Sequence, residues 1–381
     1  SRRRHTRCGW LSRGLGDVYK RQIPIREVLA LADANGNSSP DVALVRRDDD
    51  LHYRAYVFDG ATGESIRSID LGTSTVTAAV VVDRAGAPDD IAALRLAPNG
   101  SWRALVVNSG SGETVNQVWF GTDFTGIDLA ADDVDGDGSP DVGVLGENAD
   151  GSARILFKDI ETEATVVDFT QSNEFQARQL LTLPTVNGGS DVETATIAIK
   201  RSTNEAFARI ADSGTGKLLS GLKYGKSYRQ VTSAVLPDAG GPGLAGVAQL
   251  GVQSDPDGIR VRMKDAATAE TLTTSTISNT RSAVDLSAIS DLGSDGIADI
   301  ATLIGSEDGT GRVLLYNGAT GARIRAVDMP PIKAPADLAV SADINGNGAD
   351  ELVGLGKRNG VDRIVIFDSV TKAKLLRIDV P

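Results

Sequence analysis

Four short stretches carry acids and amides at a spacing suited to wrapping a hard cation. They read Asp33-Ala-Asn-Gly-Asn-Ser-Ser-Pro-Asp41, Asp133-Val-Asp-Gly-Asp-Gly-Ser-Pro-Asp141, Asp291-Leu-Gly-Ser-Asp-Gly-Ile-Ala-Asp299 and Asp343-Ile-Asn-Gly-Asn-Gly-Ala-Asp-Glu351. Calcium takes about six to eight oxygens at about 2.3–2.6 Å. Side-chain oxygens at positions 1, 3, 5 and 9 and the backbone carbonyl of position 7 can supply most of them. Glycine at positions 4 and 6 lets the chain turn sharply enough to aim them inward. Asp133, Asp135, Asp137 and Asp141 meet every position, with Ser139 at position 7. Asp33, Asn35, Asn37 and Asp41, with Ser39 at 7, are similar but carry less charge. Asp343, Asn345, Asn347 and Glu351, with Ala349 at 7, repeat the pattern. Asp291, Asp295 and Asp299 stand in register in the remaining stretch, where Gly293 leaves position 3 without a ligand. An EF-hand fails on spacing, since it needs a Glu at position 12 and flanking helices. Position 12 here is Leu44, Val144, Thr302 or Gly354. The competing reading is a set of Asx-rich turns whose side chains bond only to their own backbone.

Something must hold these loops, and a second periodic feature shows what. Hairpin-type turns open with Asp or Asn at Asp59, Asn108, Asp159, Asp212, Asp265, Asn317 and Asp368, and Thr or Ser follows three residues on. The spacings are 49, 51, 53, 53, 52 and 51 residues. An Asx side chain closes such a turn by accepting backbone N–H bonds. Apolar strand-like segments flank each turn, such as Ala55–Phe58 and Ser65–Ile69, and each acidic loop, such as Val28–Ala32 and Val42–Val45. Degenerate loops stand near Asp83–Asp90, Thr185–Asp191 and Asp238–Gly243. One repeat therefore reads strand, acidic loop, strand, variable loop, strand, Asx turn, strand. Four strands in about 40–50 residues make one propeller blade. The expected fold is all-β: a seven-bladed β-propeller of four-stranded antiparallel blades over residues 23–381. In-register repeats further predict that the last blade keeps its own fourth strand, Leu375–Asp379, so that the ring closes without strand exchange.

The Asp-x-Asp/Asn-Gly-Asp/Asn-Gly-x-x-Asp/Glu loop between two strands resembles the VCBS and FG-GAP repeats of bacterial surface proteins and of integrin α-subunit propellers. The resemblance is specific at Asp133–Asp141 and Asp343–Glu351 and blurred in blades two, four and five. The Phe-Gly and Gly-Ala-Pro signatures are not in clear register. It implies a calcium-binding propeller serving recognition or adhesion.

Composition agrees with many short strands and narrows the function. The 381 residues include 42 Gly, 41% apolar and only 4% aromatic side chains. No apolar run is long enough for a transmembrane helix. Net charge is −12, yet residues 1–22 hold seven basic side chains and one acid, leaving 32 basic against 50 acidic in the body. An acidic body repels phosphate backbones, which argues against nucleic acid. The leader SRRRHTRCGWLSRGLGDVYKRQ resembles translated sequencing adapter and is expected to be non-native or disordered. The export signal of a secreted or cell-surface protein would then lie outside this fragment. The only cysteine, Cys8, is in that leader.

Catalytic material is scarce. His5 lies in the leader and His52 in a polar loop, where it is expected to be solvated, so neither a Ser-His-Asp triad nor a histidine zinc site has material. Gly240–Gly243 lacks the Gly-Lys-Ser/Thr of a P-loop. Trp102 and Trp119 read as strand packing residues before sugar platforms. A binding scaffold for a protein or glycan ligand is the expected function. The alternative is a calcium-dependent polysaccharide lyase, for which Tyr224, Lys226, Tyr228 and Arg229 form the one suggestive cluster. That cluster reads more simply as an interblade connection.

Overall fold

The computed structural model describes residues 25–84, 88–186, 192–225, 228–239, 245–254, 257–278 and 281–380. All regular structure among them is β. Blade one comprises β1 (Arg26–Leu31), β2 (Asp41–Arg47), β3 (Tyr53–Phe58) and β4 (Ser65–Gly72). Blade two follows with β5 (Thr75–Val82), β6 (Asp90–Leu96), β7 (Trp102–Asn108) and β8 (Thr114–Gly121). Blade three is β9 (Phe124–Asp132), β10 (Asp141–Asn148), β11 (Ala153–Asp159) and β12 (Thr165–Gln171). Blade four is β13 (Phe175–Leu183), β14 (Glu193–Lys200), β15 (Glu205–Ala211) and β16 (Leu218–Gly225). Blade five is β17 (Tyr228–Leu236), β18 (Gly246–Ser254), β19 (Asp257–Asp265) and β20 (Thr271–Ser278). The last two blades contain β21 (Ser282–Ile289), β22 (Asp299–Gly305), β23 (Thr310–Tyr316), β24 (Arg323–Ser341), β25 (Glu351–Arg358), β26 (Val361–Asp368) and β27 (Lys374–Val380).

Every strand pairs antiparallel with its sequence neighbour inside its blade. Blades six and seven form one seven-stranded sheet because β24 serves both. Its first half pairs with β23 and its second half with β25, with a register break between Lys333 and Asp337. The expected seven blades of four strands are thus present. The middle strands are apolar on both faces and almost wholly buried, as in Asp299–Gly305. Side chains from adjacent blades interdigitate between the sheets, which is how sheets packed face to face form a core.

Closure of the ring follows the sequence expectation. β27 pairs with β26 and β1 with β2, so no strand is exchanged. Blades one and seven instead share an apolar cluster containing Val28, Val42, Leu44, Val353, Leu355, Ile364 and Val380. Arg46 adds an ion pair to Asp362 at 2.9 Å. The leader, residues 1–22, lies outside the described residues.

A set of contacts that the sequence reading missed joins the first strands to one another. Glu27 Oε2 accepts the Ala79 N–H at 3.0 Å, and Asp128 Oδ2 accepts that of Leu180 at 2.8 Å. Gln179 exchanges two bonds with the Ser233 backbone, each of 3.0 Å. Asp285 Oδ2 accepts the Leu338 N–H at 3.0 Å, and Asp337 Oδ2 accepts that of Val28 at 2.7 Å. The last bond crosses the closing seam. Register breaks in β9, β13 and β21 lie next to Asp128, Gln179 and Asp285, and a bulge of this kind re-aims a side chain out of the ladder.

Asp285 and Asp337 stand side by side, and Thr232 and Glu27 face them. Burial, followed by the Asp285 charge and then that of Glu27, pushes the Asp337 carboxyl well above the carboxylate range. Burial likewise raises Asp285. A carboxyl raised by folding binds its proton more tightly in the native state. Its stabilising contribution is therefore full at acidic pH and lost as pH rises through the raised value. Asp337→Asn keeps an oxygen for Val28 and gives Asp285 an amide donor. Its melting temperature should exceed that of the wild type at pH 8 and match it near pH 4. Thermal scans across that range test this, and parallel curves for the two proteins would contradict it.

Candidate metal centre

Strand register brings the two periodic features of the sequence together. In blades one, two, three, six and seven loop position 9 is the first residue of the second strand, and the Asx residue closes or directly follows the third. Antiparallel pairing then sets them opposite each other, Asp141 facing Asp159 in blade three and Glu351 facing Asp368 in blade seven. Asp90 and Asn108 match in the same way in blade two. Cross-strand neighbours have Cβ atoms about 4.5–5.5 Å apart, and like charges placed so are destabilising. The position-9 carboxylates are wholly buried: Asp41, Asp299 and Glu351 have no exposed surface and Asp141 has 1%.

Each loop folds round its first residue. Asp133 Oδ1 accepts N–H bonds from Gly136 at 2.9 Å and Asp137 at 3.1 Å, and its Oδ2 accepts one from Gly138 at 2.9 Å. Asp135 Oδ1 takes the Asp137 N–H at 3.2 Å, and Asp137 Oδ1 takes that of Ser139 at 2.8 Å. Gly136 and Gly138 turn the chain at φ of 75° and 89°. Asp33 and Asp343 hold their loops by the same bonds. The N–H of Gly348, with those of Gly346 and Asn347, draws the Asp343 carboxyl below its ordinary value. At position 1, then, the Asx-turn reading is met in full.

Position 9 is different, and there the blades diverge. Asp41 Oδ2 accepts the Ala34 N–H at 2.8 Å and Oδ1 that of Gly60 at 3.1 Å. Asp299 is held alike by Leu292 at 2.8 Å and Gly318 at 2.9 Å. Gly60 and Gly318 are needed there, because a Cβ would sit 2.1 Å from the Pro40 carbonyl oxygen and 2.0 Å from that of Ala298. Blade three has Ile160 instead, and its N–H goes to the Pro140 carbonyl at 3.3 Å. Asp141 Oδ2 keeps the Val134 N–H at 2.9 Å, but Oδ1 is buried with no hydrogen-bond partner. Burial, with the charges of Asp135, Asp159 and Asp137, raises the Asp141 carboxyl to about 7. Burial and neighbouring acids act on Asp41, raised to about 6, and on Glu351, raised to about 7.

Asp133, Asp135 and Asp141 bring one carboxylate oxygen each to within 4.8 Å of one another, which permits a shared cation. Asp137 stands outside that group. The first and seventh loops carry amides at positions 3 and 5. There Asn35 and Asn37 donate to Asp59 Oδ2 at 2.8 and 2.5 Å, and Asn345 and Asn347 to Asp368 Oδ2 at 3.0 and 2.8 Å. In blade six the Asn317 amide donates to Asp295 Oδ2 at 2.5 Å and fills the space a side chain at Gly293 would need. Asp291 Oδ1 is also buried and unpartnered, but an amide donor already holds the place of the missing ligand. Asp59, Asn317 and Asp368 are thus part of the sites, which the sequence reading treated as turn formers only. The signal lay in the 18-residue separation of Asp41 from Asp59, Asp141 from Asp159 and Asp299 from Asn317.

Of the other residues singled out in the sequence, the side chains of Tyr228 and Arg229 lie outside those described. Tyr224 is 1% exposed and donates its hydroxyl to the Val247 carbonyl at 2.7 Å, joining blades four and five. Lys226 lies outside the described residues, as do most of the degenerate loops of blades four and five. His52 is paired with Asp70 at 3.0 Å and is not simply solvated. Trp102 is buried, and Trp119 is 41% exposed with the Arg103 guanidinium 5.1 Å from its ring centre.

No family model matches the chain, and no curated protein does. Solved structures show the same fold at low identity. The BP39L lectin from Burkholderia pseudomallei is 14% identical, with a TM-score of 0.63, over 94% of this chain and 99% of that one. BBS1N, solved in complex with ARL6DN, is 12% identical with a TM-score of 0.58, over 88% and 90% of the two chains. The Dos1 propeller is 11% identical with a TM-score of 0.53, over 93% and 82%.

Asp59 couples loop and turn: Oδ1 accepts the Ala61 and Thr62 N–H groups at 2.9 and 2.7 Å while Oδ2 holds the two amides. Asp59→Ala should cost about 1–2 kcal/mol in denaturant unfolding, since it removes several hydrogen bonds to largely exposed donors, each contributing about 0.5–1.5 kcal/mol. Thr62→Ala should cost visibly less, and equal losses would show that the amide contacts contribute nothing.

Proposed function

We propose that this chain is a calcium-stabilised propeller of the VCBS/FG-GAP kind that works as an extracellular or cell-surface recognition scaffold, with the principal ion in the blade-three loop. The observation that supports it is the buried, orphaned Oδ1 of Asp141, a residue whose carboxylate groups with those of Asp133 and Asp135. A buried carboxylate without a donor needs a counter-charge or a proton. A hard divalent cation suits an all-oxygen set of this density. The Ser139 carbonyl and water would complete its coordination. The loops at Asp33–Asp41 and Asp343–Glu351 are weaker sites in the same reading, since their amides carry less charge and are already bonded. The Asp291–Asp299 loop ranks last, because Asn317 presents an N–H where a ligand oxygen would be required.

An ion there would fasten the β9–β10 loop to the start of β10 and so stiffen one face of the ring. A rigid closed ring with variable loops offers a broad surface to a protein or glycan. A lectin and a complexed domain among the similar folds are in keeping with such a role, though likeness of fold alone does not assign one. The alternative of a polysaccharide lyase loses Tyr224 as a base, since its buried hydroxyl is already donated to Val247.

Calorimetric titration of metal-free protein with calcium should reveal saturable binding, with Asp135→Ala removing the tightest site. Melting temperature should rise with calcium concentration, because a ligand that binds only the native state stabilises it. Unchanged heats and unchanged melting in chelator would reject the calcium reading. A glycan and matrix-protein array run with calcium and with chelator tests the scaffold role. Calcium-dependent retention supports it, and release of unsaturated sugar ends would favour the lyase instead.

A further inference from the structure

In every blade with a well-formed acidic loop except the third, the residue opening the Asx turn is charge-complementary to the loop above it. Carboxylate meets amide at Asp59 with Asn35 and Asn37, and at Asp368 with Asn345 and Asn347. The polarity is reversed at Asn317 with Asp295, but the pairing is kept. Blade two preserves it in its degenerate loop, where Asn108 donates to Asp90 at 2.9 Å. Blade three breaks the rule. Asp159 opens the turn, Asp135 and Asp137 occupy positions 3 and 5, and Asp141 lies directly across the ladder.

Among the described residues no basic side chain forms an ion pair with Asp135, Asp137, Asp141 or Asp159. Asp159 is 6% exposed and gives Oδ1 to the Thr162 N–H and hydroxyl, both at 2.5 Å. The buried Ser139 hydroxyl lies beside the Asp159 carboxylate. The N–H that serves the position-9 carboxylate in blades one and six is turned away at Ile160. A loop and turn that both lost their amides at the same place, with a buried carboxylate oxygen left over between them, form a site shaped for a cation.

We infer that Asp159 belongs to the blade-three cation site as a fifth carboxylate, and that the residue opening the Asx turn determines how strongly each blade's loop holds its ion. The inference rests on the calcium reading above and sharpens it: affinity should follow the combined charge of loop and turn, so blade three binds first and most tightly. An amide at this turn position satisfies the loop from within, whereas a carboxylate under an acidic loop leaves the ion as the only available counter-charge.

Asp159→Asn is a clean test because the turn tolerates it. Asn317 opens the same turn with the same bonds, accepting the Thr320 N–H at 2.7 Å and hydroxyl at 2.6 Å. Metal-free Asp159→Asn should melt no lower than the wild type, since the new amide can donate to the loop as Asn317 does. Its tightest calcium constant should weaken about 10- to 100-fold, the usual effect of removing a carboxylate that supports a metal site. Asn35→Asp with Asn37→Asp should do the reverse in blade one, adding tight binding that Asp59→Asn then removes. Asp135→Ala serves as the reference. If Asp135→Ala abolishes the tightest site while Asp159→Asn leaves its constant unchanged, the role of Asp159 is overturned and the calcium reading stands. If wild type and Asp135→Ala bind calcium identically, both fall together.

Discussion

Antiparallel register in each blade forces the start of the second strand and the end of the third to lie side by side, and the rest of the site follows from that. A carboxylate begins the second strand at Asp41, Asp90, Asp141, Asp299 and Glu351, and an Asx residue ends or follows the third. In blades one, three, six and seven both are buried, so each of these blades must neutralise or hydrogen-bond a polar pair at the end of its ladder. Blades one, six and seven do so with side-chain amides, and blades one and six add the backbone of a glycine-containing turn. Blade three does neither, and its loop is the one with the full complement of acids. The acidic loop is thus the lid of a polar pair that the fold itself creates.

The same constraint explains why loop and turn recur together. A loop that lost its acids would leave the position-9 carboxylate under a changed lid, and a turn that lost its Asx residue would free two or three backbone donors at once. The two features are therefore tied energetically although about 18 residues separate them in the chain. This is a local device repeated round the ring, consistent with the near-independence of units in repeat proteins.

Ring closure draws on a second device, at the inner strands. Apolar packing between blades one and seven buries the seam, but it has no direction. The carboxylate and amide bonds from one first strand to the next supply one, and the Asp337 bond to Val28 carries the pattern across the closing seam. Its cost is a pair of acids, Asp285 and Asp337, held together where their charges repel. Burial raises both carboxyls, so the bond that Asp337 makes across the seam responds to pH.

The fold was legible in the sequence because it is repeated. Seven Asx turns in near-constant register, flanked by alternating apolar segments, fix the number of blades, the strands in each and the lack of strand exchange, since each depends on local periodicity. The loop residues at positions 1, 3, 5 and 9 could also be read, because their geometry is set within nine residues. What the sequence left open were contacts across strands and blades. Whether Asp59, Asp159 and Asp368 were turn formers or part of the loops depended on ladder register, which brings together residues far apart in the chain. The unpartnered oxygen of Asp141 depended on Ile160 turning its N–H toward Pro140, where Gly60 and Gly318 serve the carboxylate. The bonds between neighbouring first strands depended on bulges that re-aim Asp128, Gln179 and Asp285. Periodicity determines which elements form, whereas burial and direction, which decide what a carboxylate meets, exist only once the blades are packed.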